Sequence, residues 1–190
     1  MWEDLLQWDR DTFVYLNSLG IERYDGFWSI VTDITTWIPL FLLFLFLLFQ
    51  KFDRNEALYK FFTIMGLVIF ITAITHWTKI SVARLRPNNT EEINTIIRIL
   101  KSPTDYSFFS GHASSSFSIT TLVFLFLRKQ VKWAFLFFLW PLLFCMSRIY
   151  VGVHFPIDII VGAIVGILSG MLFYWLYNRF ITPGLRSARP

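Results

Sequence analysis

Lys79, Arg86, His112, Arg148, His154 and Asp158 stand where the apolar blocks of this 190-residue chain end. They fall in three short segments. Lys79 to Pro87 reads K-x6-RP, Ser110-Gly111-His112 reads SGH, and Ser147 to Asp158 reads SR-x5-H-x3-D. Cations, two histidines and a carboxylate in this grouping suit one task, gripping a phosphoryl group and passing it to a histidine. An ionisable group at the edge of a membrane-length apolar run is costly, so its presence there points to function.

Each residue type has a physical part in that task. Lys79 closes the second apolar run, and Arg86 follows it, held extended by Pro87. Taken singly they are a snorkelling lysine and a loop arginine; the other two segments give them a phosphate to hold. Ser110 is a preferred N-cap, Gly111 lets a ligand approach the backbone, and first-turn N–H groups attract anions. His112 projects from that helix end, where it can protonate a departing oxygen as general acid. Alone, the tripeptide would be no more than a capped helix with an interfacial histidine.

The third segment is the most specific. Arg148 offers a planar fork that matches two phosphoryl oxygens. His154 lies in the turn from Val151 to Phe155, and Pro156 suits the first position of a helix, which puts Asp158 in its first turn. Asp158 there complements the helix dipole. Four residues after His154, it is also placed to accept the Nδ1–H and leave Nε2 free to attack. Neighbouring cations favour the neutral imidazole.

The elements that must position these groups are membrane helices. Hydrophobic residues make up 55% of the chain, mean hydropathy is +0.55, and the apolar residues form blocks. Blocks over Phe27–Phe49, Tyr59–Ile80, Val131–Ile149 and Ile157–Phe180 reach the ~20 residues a span needs. His112–Leu127 is shorter and rich in Ser and Thr, but its flanking loops must lie on opposite sides, so it counts as a fifth span. In Met1–Leu19 the residues Leu5, Leu6, Phe13, Leu16 and Leu19 share a helical face, with Glu3, Asp4, Asp9, Arg10 and Asp11 elsewhere. That predicts an interfacial helix over residues 1–20, retained because no signal-peptide pattern is present; a sixth span is the alternative. The fold class is therefore all-α, a polytopic bundle of five spans plus that helix, forming one domain over 1–190.

Orientation follows from the loops. Lys51, Arg54 and Lys60, then Arg128, Lys129 and Lys132, then Arg179, Arg186 and Arg189 enrich one side in cations, which marks it cytoplasmic. All three segments then face outward, on the periplasmic side of a bacterial cytoplasmic membrane. The net charge of +4 is accounted for by this topology, without nucleic acid. The long connection 88–109 reads as an outer lid, with a short helix over Glu91–Leu100. Asn88-Asn89-Thr90 matches a glycosylation acceptor.

Other features carry less. Cys145 is packing in mid-span. His76, one helical turn before Lys79, is either a core residue or part of the site's lower wall. Gly162, Gly166 and Gly170 form a small-residue stripe for close helix packing. Trp2, Trp8, Trp37, Trp77 and Trp133 suit interfacial belts. The histidines with Asp158 are a poor metal site, because Lys and Arg crowd them.

The three segments resemble the motifs of the type 2 phosphatidic acid phosphatase superfamily, the lipid phosphate phosphatases. The resemblance runs from Lys79 to Asp158. It implies that His154 is a nucleophile forming a phosphohistidine, that His112 protonates the leaving group, and that Asp158 supports the nucleophile. Lys79, Arg86, Ser110, Gly111 and Arg148 would form the phosphate cradle, with no metal and no cofactor. One departure is Phe109, which stands where that family usually has proline before SGH. The implied substrate is a lipid phosphate or diphosphate of the undecaprenyl diphosphate, phosphatidylglycerol phosphate, phosphatidate or lipid A type. Transfer to an acceptor other than water, and non-catalytic lipid binding or transport, are the competing readings. Oligomeric state is not legible.

Overall fold

Apolar runs set the helices, and polar residues at their ends set where each stops. The computed structural model describes residues 2–187, and among them every regular element is helical. Helix α1 is Trp2–Ser18 and α2 is Asp25–Val31. A 3-10 turn leads into α3 (Ile38–Lys51), followed by α4 (Arg54–Val82) and α5 (Gly111–Leu127). A second 3-10 turn leads into α6 (Leu139–Tyr150). The chain ends in α7 (Pro156–Leu176), a π-helical turn (Tyr177–Ile181) and α8 (Thr182–Ser187). Ile34–Lys51, Arg54–Asn89 and Pro156–Leu185 are long and apolar enough to cross a membrane; Gly111–Leu127 and Ala134–Tyr150 are shorter apolar helices. The chain is an all-α membrane helix bundle, as the apolar blocks predict.

The first block departs from expectation. Phe27–Phe49 is not one helix, because it breaks at Thr32-Asp33. The Asp33 carboxylate accepts the Thr35 N–H at 3.0 Å and the Thr35 hydroxyl at 2.8 Å, so it caps the following turn instead of continuing α2. The Glu91–Leu100 helix is also absent; the segment runs as turns. Its backbone donors are drawn elsewhere. The Arg98 N–H goes to Asn17 Oδ1 at 2.7 Å and the Leu100 N–H to the Val151 carbonyl at 3.1 Å.

Helix α1 forms, and the stripe it turns to the protein is mostly polar. The buried residues are Asp9, Phe13 and Asn17, four apart, while Leu5, Leu16 and Leu19 are exposed. Phe13 packs edge-on to Phe155 at 5.4 Å. The Asn17 amide donates to the carbonyls of Arg98, Ile149 and Tyr150 at 3.0–3.2 Å. Asp9, expected on a solvated face, is fully buried.

Helices α5 and α7 pack most closely. A Cβ on Gly162, Gly166 or Gly170 would lie 2.7, 2.5 or 2.8 Å from the carbonyl oxygens of Ser110, Ser114 and Ser118. The glycine stripe thus does what its spacing predicts, bringing two backbones together. The buried serine hydroxyls of α5 bond inside that helix: Ser114 donates to the Gly111 carbonyl at 3.2 Å, Ser116 to the His112 carbonyl at 2.7 Å and Ser118 to the Ser115 carbonyl at 2.9 Å. That is how a serine-rich stretch remains in the bundle. The apolar core lies towards the other end, around Phe44, Leu48, Leu122, Phe126 and Trp140.

Candidate active site

The site gathers where α4, α5, α6 and α7 end. Helix α4 stops at Ala83, which takes φ +49, and the chain turns back over the bundle. Ser110 caps α5 as predicted, its hydroxyl accepting the Ala113 N–H at 3.4 Å. Its own N–H donates to the Asp158 carbonyl at 2.9 Å, which ties the second segment to the third. Helix α7 begins at Pro156 with Asp158 in its first turn, as the spacing predicts.

His154 is 1% exposed. Arg86 Nη1 donates to its Nε2 at 3.0 Å and to the Val153 carbonyl at 2.9 Å. A guanidinium has no acceptor, so Nε2 carries the lone pair and Nδ1 the hydrogen. On that side the expected contact is modified. Asp158 Oδ2 lies 3.5 Å from Nδ1, while Ser107 Oγ is nearer at 3.3 Å. The Ser107 hydroxyl donates to Asp158 Oδ2, so its lone pair faces the Nδ1–H. Ser107 therefore relays between imidazole and carboxylate. Oδ2 also accepts the Phe155 N–H at 3.0 Å. Burial first, then the charges of Arg86, Arg148 and Lys79, hold the His154 imidazole well below its ordinary range and keep it neutral.

The cations are all present. Lys79 Nζ donates to Asp105 Oδ2 at 2.7 Å and to the Tyr106 carbonyl at 2.5 Å. Arg86 Nη2 donates to Asp105 Oδ1 at 2.8 Å. One carboxylate thus spans the two cations of the first motif, as two phosphoryl oxygens would. Burial opposes ionisation of Asp105, but the Lys79 hydrogen bond and the Arg86 charge outweigh it and hold the carboxyl below its usual range. Arg148 is buried, with Nη1 donating to Thr32 Oγ1 at 2.5 Å and Nε without a hydrogen-bond partner among the described residues.

His112 packs its ring against Phe144 at 4.8 Å, within electrostatic reach of Arg148, His154, Arg86 and Lys79. It lines a cavity of ≈380 Å³ with Thr75, His76, Lys79 and Gly111, so His76 is a wall residue and not a core one. A second cavity of ≈500 Å³ shares Ile34 and Ser115 with it and continues between α3, α4 and α5, walled by residues such as Phe41, Leu48, Met65 and Ile119.

All eight residues singled out in the sequence therefore lie at one end of the bundle. A profile of the PAP2 superfamily matches residues 57–182. The chain belongs to the PAP2 superfamily. It is 29% identical over its whole length to a lipid A 4'-phosphatase of Bacteroides thetaiotaomicron, covering 85% of that protein. It is 31% identical over 92% of its length to a lipid A 4'-phosphatase of Porphyromonas gingivalis, covering 75% of it. Its fold matches the transmembrane PAP2 type phosphatidylglycerolphosphate phosphatase of Bacillus subtilis with TM-score 0.71 at 17% identity, over 93% of this chain and 88% of that one. As a PAP2 member the chain is a phosphatase.

Sequence reasoning missed Arg84, Ser107, Asp105, Thr32 and Asp9 as contributors to this PAP2 site. Arg84 had a signal, as a further cation inside the first motif. Ser107 and Thr32 had none, being ordinary polar residues in connections.

Proposed function

We propose that this PAP2 chain hydrolyses the phosphate of a phosphorylated lipid, with a phosphate monoester of the lipid A type as first candidate, through a phosphohistidine on His154. The observation that carries the reading is the Arg86–His154 contact: Nε2 is unprotonated, buried and set among Lys79, Arg86 and Arg148. In this reading a phosphoryl group displaces Asp105 from Lys79 and Arg86, and Arg148 Nε reaches a third oxygen. His112 takes up a proton as the phosphate anion offsets the charges of Lys79, Arg86 and Arg148. The Nε2 lone pair of His154 then attacks phosphorus, the P–O bond to the lipid breaks, and the His112 imidazolium gives its proton to the departing oxygen and becomes neutral. Water then attacks the phosphohistidine and loses a proton to His112. The P–N bond breaks and inorganic phosphate leaves. Lys79, Arg86 and Arg148 hold the charge of both transition states, and no step calls for a metal.

The substrate class rests on the two lipid A 4'-phosphatase relatives and on the apolar cavity that continues from His112 between α3 and α4, which suits an acyl chain. The remaining parts of the reading are one domain of five spans, α1 lying in the interface, segment 88–109 as a lid, and the site facing outward from a bacterial cytoplasmic membrane.

The test is phosphate release by purified protein, in excess chelator, from lipid A bisphosphate, phosphatidate, phosphatidylglycerol phosphate and undecaprenyl diphosphate. Release fastest from lipid A, blocked by vanadate, is the expected result. Release only after zinc or magnesium is restored contradicts the metal-free chemistry, and preference for another lipid contradicts the substrate.

A further inference from the structure

Arg84 holds two buried carboxylates at once. Its Nη2 donates to Asp9 Oδ2 at 2.7 Å and its Nη1 to Asp158 Oδ1 at 2.8 Å, and neither carboxylate side chain is exposed. The guanidinium lies 4.1 Å over the ring of Phe155, the residue after His154. The Arg84 carbonyl accepts the Ser107 N–H at 2.8 Å. Arg84 therefore touches Asp158, Ser107 and Phe155, all of which surround the nucleophile. It also follows Ala83, whose left-handed backbone persists only where the surroundings over-determine it.

Asp9 anchors this arrangement from the other side. Its Oδ1 accepts the Ile157 N–H at 2.9 Å. Helix α7 needs that bond. Pro156 has no N–H, Phe155 has no capping side chain, and the Asp158 carboxylate is already turned back to the Phe155 N–H. The missing cap comes from α1, at a separation of 148 residues. Burial raises the Asp9 carboxyl above its ordinary value, and the hydrogen bonds from Arg84 and the Ile157 N–H act against that rise.

We propose that Asp9 and Arg84 are positioning residues for the reaction. Through them α1 fixes Asp158 and Ser107 at the distances that hold the His154 Nδ1–H, so the nucleophile is aligned only while α1 is docked. The inference rests on His154 being the nucleophile, and its test separates the two claims.

Full-length variants are assayed on whichever lipid of the four the parent hydrolyses fastest, each checked for a monodisperse folded state. Asp9→Ala and Arg84→Met should lower kcat by about ten- to a hundredfold, the scale of a nucleophile misplaced by about an ångström, with KM within about twofold. Asp9→Asn keeps the oxygen that caps Ile157, so it decides the matter if Asp9→Ala does not fold. Its kcat should fall in protein that remains folded and monodisperse at the assay temperature. In an Asp158→Asn background, Asp9→Asn should cost nothing further, because the carboxylate it acts through is gone. Equal losses in both backgrounds would make Asp9 a merely structural anchor, and an unchanged kcat in Asp9→Asn and Arg84→Met would remove any role. Either overturns the proposal. Turnover by His154→Ala would instead overturn the nucleophile assignment on which it rests.

Discussion

Arg86 donates a hydrogen bond to His154, Nη1 to Nε2 at 3.0 Å, and by doing so assigns the tautomer of a buried imidazole. The nitrogen that would attack phosphorus is the unprotonated one, and the cation that marks it is, in the proposed reaction, also a phosphate ligand. When phosphate takes over Arg86, the lone pair is released next to the group that displaced it.

This relationship sets a pH dependence. Protonating His154 would bury a charge and place it beside Arg86, Arg148 and Lys79, so the folded protein holds the imidazole neutral well below its ordinary range. A neutral nucleophile is needed, so the acid limb of kcat/KM should fall below pH ~6.5, the value of an unperturbed histidine. Arg86→Met removes one of the charges and should move that limb upward towards it, as well as weakening binding. The check is a pH profile of kcat/KM for both proteins. An acid limb above ~6.5 in the parent would contradict the burial and charge argument.

The Ser107 relay predicts a graded series. His154→Ala should cost about four decades or more of kcat, since the covalent route is lost. Asp158→Asn should be milder, because the imidazole survives. Ser107→Ala removes both the group facing Nδ1 and a donor to Asp158 Oδ2. It should lower kcat by about ten- to a hundredfold and stability by about 1–3 kcal/mol, the cost of an under-satisfied buried acceptor. Steady-state kinetics and thermal unfolding in detergent check this. Parent-like kcat in Ser107→Ala would leave Asp158 as the direct partner of His154.

Asp105 should compete with phosphate. It bridges Lys79 and Arg86, yet its side chain is 57% exposed, so the pairing is worth only about 0.2–1 kcal/mol to each cation. Asp105→Asn should lower KM, and the inhibition constant of inorganic phosphate, by about two- to fivefold. A raised KM would show instead that Asp105 arranges the cations for substrate.

Much of this site could be read from the sequence because its residues break a rule. Lys79, Arg86, His112, Arg148, His154 and Asp158 are polar groups at the ends of apolar blocks, and Pro156 and Ser110 announce the helix starts that place them. The partners that complete the site break no rule. Ser107 reaches Asp158 at a separation of 51 residues, Arg84 at 74, and Asp9 caps Ile157 at 148. Such pairings are set by tertiary packing and leave no periodicity. Asp9 was also hidden by its own helix, whose apolar pattern pointed to Leu5, Leu16 and Leu19 while its polar stripe was buried. The break at Asp33 was obscured in the same way, by apolar residues on both sides of a capping carboxylate.

Topology can be probed with cysteines. Gly152 is a poor position, because it takes φ +84 and a Cβ there would lie 2.4 Å from the Arg98 carbonyl. Lys101 and Gln130 are exposed. Lys101→Cys should label with an impermeant thiol reagent in intact spheroplasts, and Gln130→Cys only after permeabilisation; Cys145 is buried and should give little background. The reverse pattern would turn the site to the cytoplasmic side and change the lipid pool it meets, leaving its chemistry intact.

The central claim is a covalent phosphohistidine on His154, and trapping it is the most direct measurement. The protein is mixed with lipid carrying radiolabelled phosphate, quenched in alkali within the first turnover, and digested. Label that survives alkali, is lost in mild acid, maps to the peptide containing His154 and is absent in His154→Ala is the predicted result. Rapid phosphate release with no labelled protein at any time, or label on a different residue, would contradict it.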